Sequence, residues 1–121
     1  MNGRSDLARV VEHVFRHSLT RAFSESFFKI FMYYIGVRCN GDIFEVFLVN
    51  PKKVYDAVVE VYGEAAARCI FRSIYIYISR NMILNMDFNL FLERIRYGGY
   101  DSVSLIVDIC HRLSTHLPED R

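Results

Sequence analysis

The feature that most constrains the fold of this chain is a run of helix-boundary signals between Asp42 and Ala67. An Asp-x-x-Glu pattern, an Asn50-Pro51 step and a break at Gly63 follow one another closely. Short polar side chains cap the first turn of a helix, proline fits its first position, and glycine ends its last turn. Because 52% of the residues are hydrophobic, these signals divide apolar sequence into short packed helices. The sequence therefore predicts an all-α fold.

Helical periodicity predicts five to six helices in a compact bundle, orthogonal rather than simple up-down. The segment Ile74 to Ile78 taken alone resembles a buried strand, but its length and its alanine-rich entry favour a helix. The predicted helices run from Asp6 to about Gly36, from Ile43 to Leu48, from Pro51 to Tyr62, from Glu64 to about Met82, from Phe88 to Tyr97 and from about Val103 to Leu113. Their predicted N-caps are Ser5, Asp42, Asn50, Asp87 and either Asp101 or Ser102.

The apolar stripe of the first predicted helix changes direction near Phe23. Beyond this point Ile30 and Tyr34 face nearly opposite to the stripe that precedes Ala22. Either the helix breaks at Ser24, or one continuous helix packs its two halves against different surfaces, of which one belongs to a second subunit. We favour the continuous helix.

Length and composition limit the class of protein. The 121 residues predict one domain, residues 1–121, with frayed ends at 1–5 and 117–121. A formal net charge of +1 gives no overall field that would attract nucleic acid or an anionic membrane. Arginines interrupt the apolar segment from Ala65 to Met86, so we expect neither a spanning helix nor a membrane partner.

The three cysteines predict a reduced, cytoplasmic protein. Their odd number and wide spacing do not fit a secreted disulfide framework or a Cys-x-x-Cys site. Cys69 and Cys110 fall on or beside apolar stripes and are expected to be buried and inert. Cys39, expected in a loop beside Arg38, is the thiol predicted to be exposed.

The aromatic content points to self-association. Ten Phe and eight Tyr are more than one small core hides easily, and surplus aromatic surface marks partner contacts. The apolar residues hardest to place in one core are the predicted homodimer contacts: Leu7, Val11, Phe15, Tyr75 and Ile76. The double substitution Val11→Asp and Phe15→Asp would then give a folded monomer. The alternative is that these residues pack under the last helix.

Catalytic patterns are not found in the sequence. His13 and His17 stand four residues apart, a spacing that lets two imidazoles bind one metal. Val14, however, occupies the position of the glutamate in the His-Glu-x-x-His motif, and no third ligand is anchored nearby. Two solvated histidines are the better interpretation. We expect no metal, no cofactor and no enzyme activity.

Two further functions remain as alternatives. A nucleic-acid-binding regulator would use Arg68, Arg72, Arg94 and Arg96, although salt-bridged or solvated arginine explains these positions better. The second alternative is an apolar ligand held between aromatic-lined helices, because helical bundles house ligands in their cores.

The order of features from Ala22 to Glu93 resembles a known family. This order is similar to that of a small archaeal all-α module. It consists of an apolar helix end at residues 31–36, a short capped helix, the Asn50-Pro51 entry, and residues 62–66, which open a long apolar helix. That module is an output domain of the Nitrosopumilus kind, found alone or attached to sensory and signalling proteins. The N-terminal extension and the helix after Gly98 are additional here. The resemblance implies a non-catalytic protein that acts by association.

The sequence thus predicts a cytoplasmic interaction or regulatory module. It would self-associate as a homodimer, bind a protein partner and have a signalling output.

Overall fold

The computed structural model describes residues 5–115, which form seven α-helices and no strand. The helices are α1 (Asp6–Ala22), α2 (Glu25–Cys39), α3 (Ile43–Val49), α4 (Pro51–Tyr62), α5 (Glu64–Asn81), α6 (Phe88–Tyr97) and α7 (Gly99–Ser114). The predicted all-α class is confirmed. The predicted frayed ends lie outside the described residues, apart from Ser5, which caps α1.

Four of the predicted N-caps are confirmed. In each, a side-chain oxygen accepts a hydrogen bond from a backbone N–H two or three residues further on, which satisfies one of the donors left free in the first helical turn. The caps are Ser5 for Ala8 (3.1 Å), Asp42 for Phe44 (2.9 Å), Asn50 for Lys53 (3.3 Å) and Asp87 for Leu90 (2.9 Å). The Glu45 carboxylate accepts from the Ser5 N–H at 2.7 Å, which ties the start of α1 to α3.

The predicted continuous first helix is wrong, because the chain breaks between α1 and α2. Ser24 is extended, and its hydroxyl accepts from the Phe27 N–H at 2.9 Å to cap α2. The break lets each helix turn its own apolar face to the core. It also raises the number of helices to seven within residues 5–115, so the predicted count of five to six is wrong and the orthogonal packing attached to it is not matched in full.

Two predicted helix ends also differ. Gly36 does not end α2, which continues to Cys39 and stops at Asn40 in the left-handed conformation (φ 58°). Asparagine is one of the few residues other than glycine that adopts this conformation readily. At the other boundary α7 begins at Gly99, directly after Gly98 (φ 75°), so Asp101 and Ser102 lie in its first turn and do not cap it.

Two helices organise the packing. Helix α1 contacts α2, α3, α5 and α7, while α4 contacts α2, α3, α5, α6 and α7. The core draws side chains from all seven helices and is rich in phenylalanine. Within residues 5–115 no helix combines the length and hydropathy needed to cross a lipid bilayer.

Candidate functional site

Two of the predicted homodimer contacts lie in the core of a single chain. Val11 is 2% exposed and Phe15 is 1% exposed. The Phe15 ring packs edge-on against Phe44 and Phe47, with centroid distances of 5.9 and 5.1 Å. The prediction that these residues form a surface is corrected, because α1 is a central helix that packs on four others.

Leu7 and Tyr75 are partly buried against the same core. The Tyr75 hydroxyl donates a hydrogen bond to the Met86 carbonyl at 2.7 Å, and the ring packs against Phe88 and Phe91. Among the five predicted contacts, Ile76 keeps the most exposed side chain, at 39%. It lies beside a cleft between α1 and α5.

A larger apolar surface lies on the outer side of α2. Four side chains at positions i, i+3, i+4 and i+7 share one helix face and form what we call the α2 stripe. They are Ile30, Tyr33, Tyr34 and Val37, with exposed fractions of 52, 66, 48 and 60%. None of the four is charged, so the stripe is a continuous apolar and aromatic band.

The opposite side of α2 is buried. Phe28, Phe31, Ile35 and Cys39 face the core and are at most 3% exposed. A helix that is apolar on two sides is normally covered on both. Among residues 5–115 of a single chain, only one of these two sides of α2 is covered.

The sequence contained part of this signal. Ile30 and Tyr34 belong to the rotated stripe that suggested a second subunit. The same stripe also includes Phe31, which is buried. Periodicity alone therefore could not separate the outward side of α2 from its inward side, since both are apolar.

The structure brings the two histidines together with a residue far away in sequence. The rings of His13 and His17 have centroids 4.1 Å apart, and the Nε2 atom of His13 lies 2.9 Å from the Tyr77 hydroxyl. Among residues 5–115 no group of three or more His, Cys, Asp or Glu side chains could hold a metal ion. Tyr77 was missed because contact between α1 and α5 is set by tertiary packing.

The four arginines of the nucleic-acid alternative divide into separate places. Arg68 and Arg72 both lie near the Phe88 ring, with guanidinium carbons 5.0 and 5.8 Å from its centroid. Arg94 and Arg96 are two residues apart on α6 and so project about 200° from each other. The structure therefore groups the first pair and separates the second.

The acidic surroundings of Arg96 weaken any positive patch there. It lines a groove between α4 and α6 together with Asp56, Glu64 and Glu93. Arg68 donates a hydrogen bond to the Asn89 side chain at 2.7 Å. The four arginines do not form one basic surface.

The cysteines are placed the other way round from the prediction. Cys39 is buried at the end of α2, whereas Cys69 is exposed on α5. Burial raises the pKa of the Cys39 thiol, although the Lys53 charge opposes the shift. Burial raises the pKa of the Cys110 thiol to about 12. Cys110 is therefore the buried cysteine that was predicted correctly, and Cys39 and Cys69 are corrections.

The core holds little free space for an apolar ligand. A cavity among core side chains that include Phe15, Phe47 and Phe91 has a volume of about 20 Å³. Sites for small molecules commonly measure about 300–1,000 Å³. This cavity is therefore far too small for an apolar ligand of that size.

No protein-family profile, curated protein or solved structure matches this chain. The resemblance to the archaeal output domain consequently stays a prediction. The α2 stripe and the α1–α5 cleft are the two surfaces on which a function can be argued.

Proposed function

We propose that this chain is a non-catalytic interaction module that forms a homodimer through the α2 stripe. The observation that carries the proposal is an exposed, uncharged band on a helix whose other side is already buried. The cytoplasmic location, the binding of a protein partner and the signalling output predicted from sequence belong to the same proposal.

The order of residues in the stripe favours a second copy as the occupant. The two outer residues, Ile30 and Val37, are both β-branched, and the two inner ones are both tyrosine. The pattern is therefore symmetric about the point between Tyr33 and Tyr34. A two-fold axis through this point places Ile30 against Val37 of the second copy, and each Tyr33 against Tyr34. This is the self-complementarity that a two-fold dimer requires.

The size of the stripe is suitable for the centre of an interface. At the exposed fractions given above, four large side chains offer on the order of 400 Å² per chain. Standard interfaces bury about 800 Å² on each partner, with a polar rim around an apolar centre. Tyrosine is enriched in such centres because its ring is buried while its hydroxyl finds a polar partner.

Charges at the edges of the stripe are already paired. Lys29 lies 3.8 Å from Glu25, and Arg38 forms an ion pair with Glu60 at 2.9 Å. The two-fold axis would bring Lys29 near Arg38 of the second copy. Because each cation has an acidic partner, their mutual repulsion is reduced.

The solution mass of the full chain tests the proposal. We would measure light scattering over a micromolar to millimolar dilution series for the wild type and for the Ile30→Glu/Val37→Glu variant. The wild type should reach the dimer mass, and the variant should remain a monomer, because two carboxylates would be buried without partners. The matched control is Val49→Glu/Ile83→Glu, which makes the same chemical change at residues that are even more exposed. The control should dimerise like the wild type.

Circular dichroism should show equal helix content in all three proteins, since the substituted side chains are exposed. A wild-type chain that stays monomeric over the whole series would overturn the homodimer. A control that dissociates as readily as the Ile30→Glu/Val37→Glu variant would overturn the assignment to α2.

A further inference from the structure

A cleft of about 500 Å³ opens between α1 and α5, away from the α2 stripe. Helix α1 contributes Arg21 and Ala22 to its lining, and α5 contributes Ile76, Tyr77 and Arg80. Sites for small molecules commonly measure about 300–1,000 Å³ and combine an apolar wall with a few polar groups. The α1–α5 cleft has both a suitable volume and a lining that mixes apolar and polar side chains.

The cleft carries two cations without acidic partners. Within residues 5–115 neither Arg21 nor Arg80 forms an ion pair or a side-chain hydrogen bond, and no carboxylate lines the cleft. Other arginines differ, since Arg16 and Arg38 each pair with a glutamate at 2.7 and 2.9 Å. Arginines without an ion-pair partner therefore line one open space from two helices, and Arg21 also lines the neighbouring groove that contains Glu25.

Compensation of the helix dipoles explains only part of this arrangement. Arg21 and Arg80 each lie in the last turn of their helix, where a cation is favoured. That effect accounts for one cation at each helix end. It does not supply acceptors for their N–H groups, which are arranged as forks suited to a carboxylate or a phosphate.

The remaining lining of the cleft is partly apolar, beside the polar side chains of Ser18, Ser73 and Asn81. Ile76 and Ala22 supply aliphatic surface, and the Tyr77 ring lies beside them. The Tyr77 hydroxyl is held 2.9 Å from the Nε2 atom of His13, and the His17 ring stacks on the tyrosine ring at 6.2 Å. Burial raises the pKa of Tyr77, which keeps the hydroxyl uncharged at neutral pH. No negative charge from this side chain would oppose an anion.

We propose that the α1–α5 cleft binds a small amphipathic anion. Arg21 and Arg80 bind its carboxylate or phosphate head, and its short apolar body packs on Ile76 and Ala22. This site is independent of the homodimer, because none of the α2 stripe residues lines the cleft.

The test measures binding of octyl phosphate to the full chain by isothermal titration calorimetry. The octyl phosphate concentration is kept below the one at which it forms micelles. Wild-type protein should bind it, and Arg21→Gln/Arg80→Gln should weaken binding by about tenfold or more, as loss of charge-assisted hydrogen bonds implies. The control Arg9→Gln/Arg94→Gln removes two exposed arginines from other surfaces and should bind like the wild type. The neutral 1-octanol should bind at least roughly tenfold more weakly than octyl phosphate.

Three results would overturn the site: absence of octyl phosphate binding, equal binding of 1-octanol, or equal weakening by the control pair. NMR locates the binding site, because the backbone amide signals of Ala22 and Ile76 should shift when octyl phosphate is added. The Ile30→Glu/Val37→Glu variant should bind octyl phosphate like the wild type. The experiments therefore distinguish failure of the homodimer proposal from failure of the anion-binding proposal.

Discussion

Phe15 connects three helices at the scale of single residues. Its ring contacts Phe31 of α2 and both Phe44 and Phe47 of α3, at centroid distances from 5.1 to 6.2 Å. Edge-on aromatic pairs add to the free energy gained by burial alone. A smaller side chain at this position would leave a cavity, and a charged one would be buried without a partner, so both would lower the free energy of unfolding.

We expect the Val11→Asp/Phe15→Asp variant to lose its fold, and not to be the folded monomer that the sequence predicted. Both side chains are buried, and an unpaired carboxylate in an apolar core costs several kcal/mol, comparable to the roughly 5–15 kcal/mol that holds a domain together. Urea unfolding followed by circular dichroism should show no cooperative transition. Ile76→Asp makes a similar change at an exposed position and should keep the transition. A cooperative unfolding transition in the Val11→Asp/Phe15→Asp variant would contradict the placement of these two residues in the core.

Thiol labelling tests the finding that Cys39 is buried and Cys69 is exposed, which is the reverse of the prediction from sequence. In the native protein at about pH 8.5, which is close to the ordinary thiol pKa, iodoacetamide should modify Cys69 rapidly. Cys39 and Cys110 should react only after unfolding, since both are buried and their raised pKa values lower the thiolate fraction. Peptide mass spectrometry identifies the labelled residue. Labelling of Cys39 at the rate of Cys69 would show that the end of α2 is open.

At the scale of helices, the break before α2 explains how one apolar segment serves two surfaces. Ser24 stops the first helix and caps the second, so α1 can turn its stripe inward independently of α2. Helix α2 then packs Phe28 and Phe31 inward and leaves Tyr33 and Tyr34 outside. Without the break, a single helix could not place both apolar faces correctly against this core.

We expect Ser24→Ala to lower the free energy of unfolding by about 1 kcal/mol, the usual cost of losing an N-cap. The variant leaves the Phe27 N–H without its side-chain acceptor. Ser26→Ala is the matched control, because Ser26 is exposed in the first turn of α2 and is not a cap. Urea denaturation of both variants measures the difference. Equal stability of the two would show that Ser24 does not define the boundary.

At the scale of the whole molecule, the symmetric α2 stripe predicts which residues meet across a homodimer. In the proposed register, residue 30 of one copy lies against residue 37 of the other. The Ile30→Glu/Val37→Lys variant therefore places opposite charges across the axis twice. It should dimerise more strongly than Ile30→Glu/Val37→Glu, by light scattering at equal concentration, and the difference should shrink in high salt. Equal dissociation of both variants would contradict the register.

Alkaline pH should destabilise the whole molecule in a window set by Cys110. Its pKa is raised by burial from the ordinary 9.0 to about 12, so the unfolded chain loses a proton above pH 9 that the folded chain retains. This contribution to stability is complete below pH 9 and is lost as pH rises toward 12. Burial shifts the pKa values of Tyr55, Tyr62 and Tyr77 upward from 10.0, in the same direction.

Urea denaturation at several pH values tests this dependence. Between pH 9 and 10, ionisation of one such thiol in the unfolded chain lowers the free energy of unfolding by up to about 1.4 kcal/mol per pH unit. Cys110→Ala should make the slope shallower in this interval and leave it unchanged below pH 9. An unchanged slope in the variant would show that the Cys110 thiol does not carry the effect.

The helices could be predicted from sequence to a large extent, and the candidate site could not. Asp42, Asn50 and Asp87 fixed three helix starts correctly because capping depends on atoms two or three residues away. The symmetric stripe was visible only as a set of apolar residues, some inward and some outward. The two arginines of the α1–α5 cleft are far apart in the sequence and gave no local signal.

The sequence by itself determined the all-α class and most helix boundaries, since these follow from local hydrogen bonds and side-chain spacing. Only the tertiary structure decided that Val11 and Phe15 are core residues, that Cys39 is buried and that Tyr33 and Tyr34 remain outside. Periodicity states which residues share a face of a helix. It does not state which other helices cover that face, because burial depends on contacts between segments that are distant in the chain.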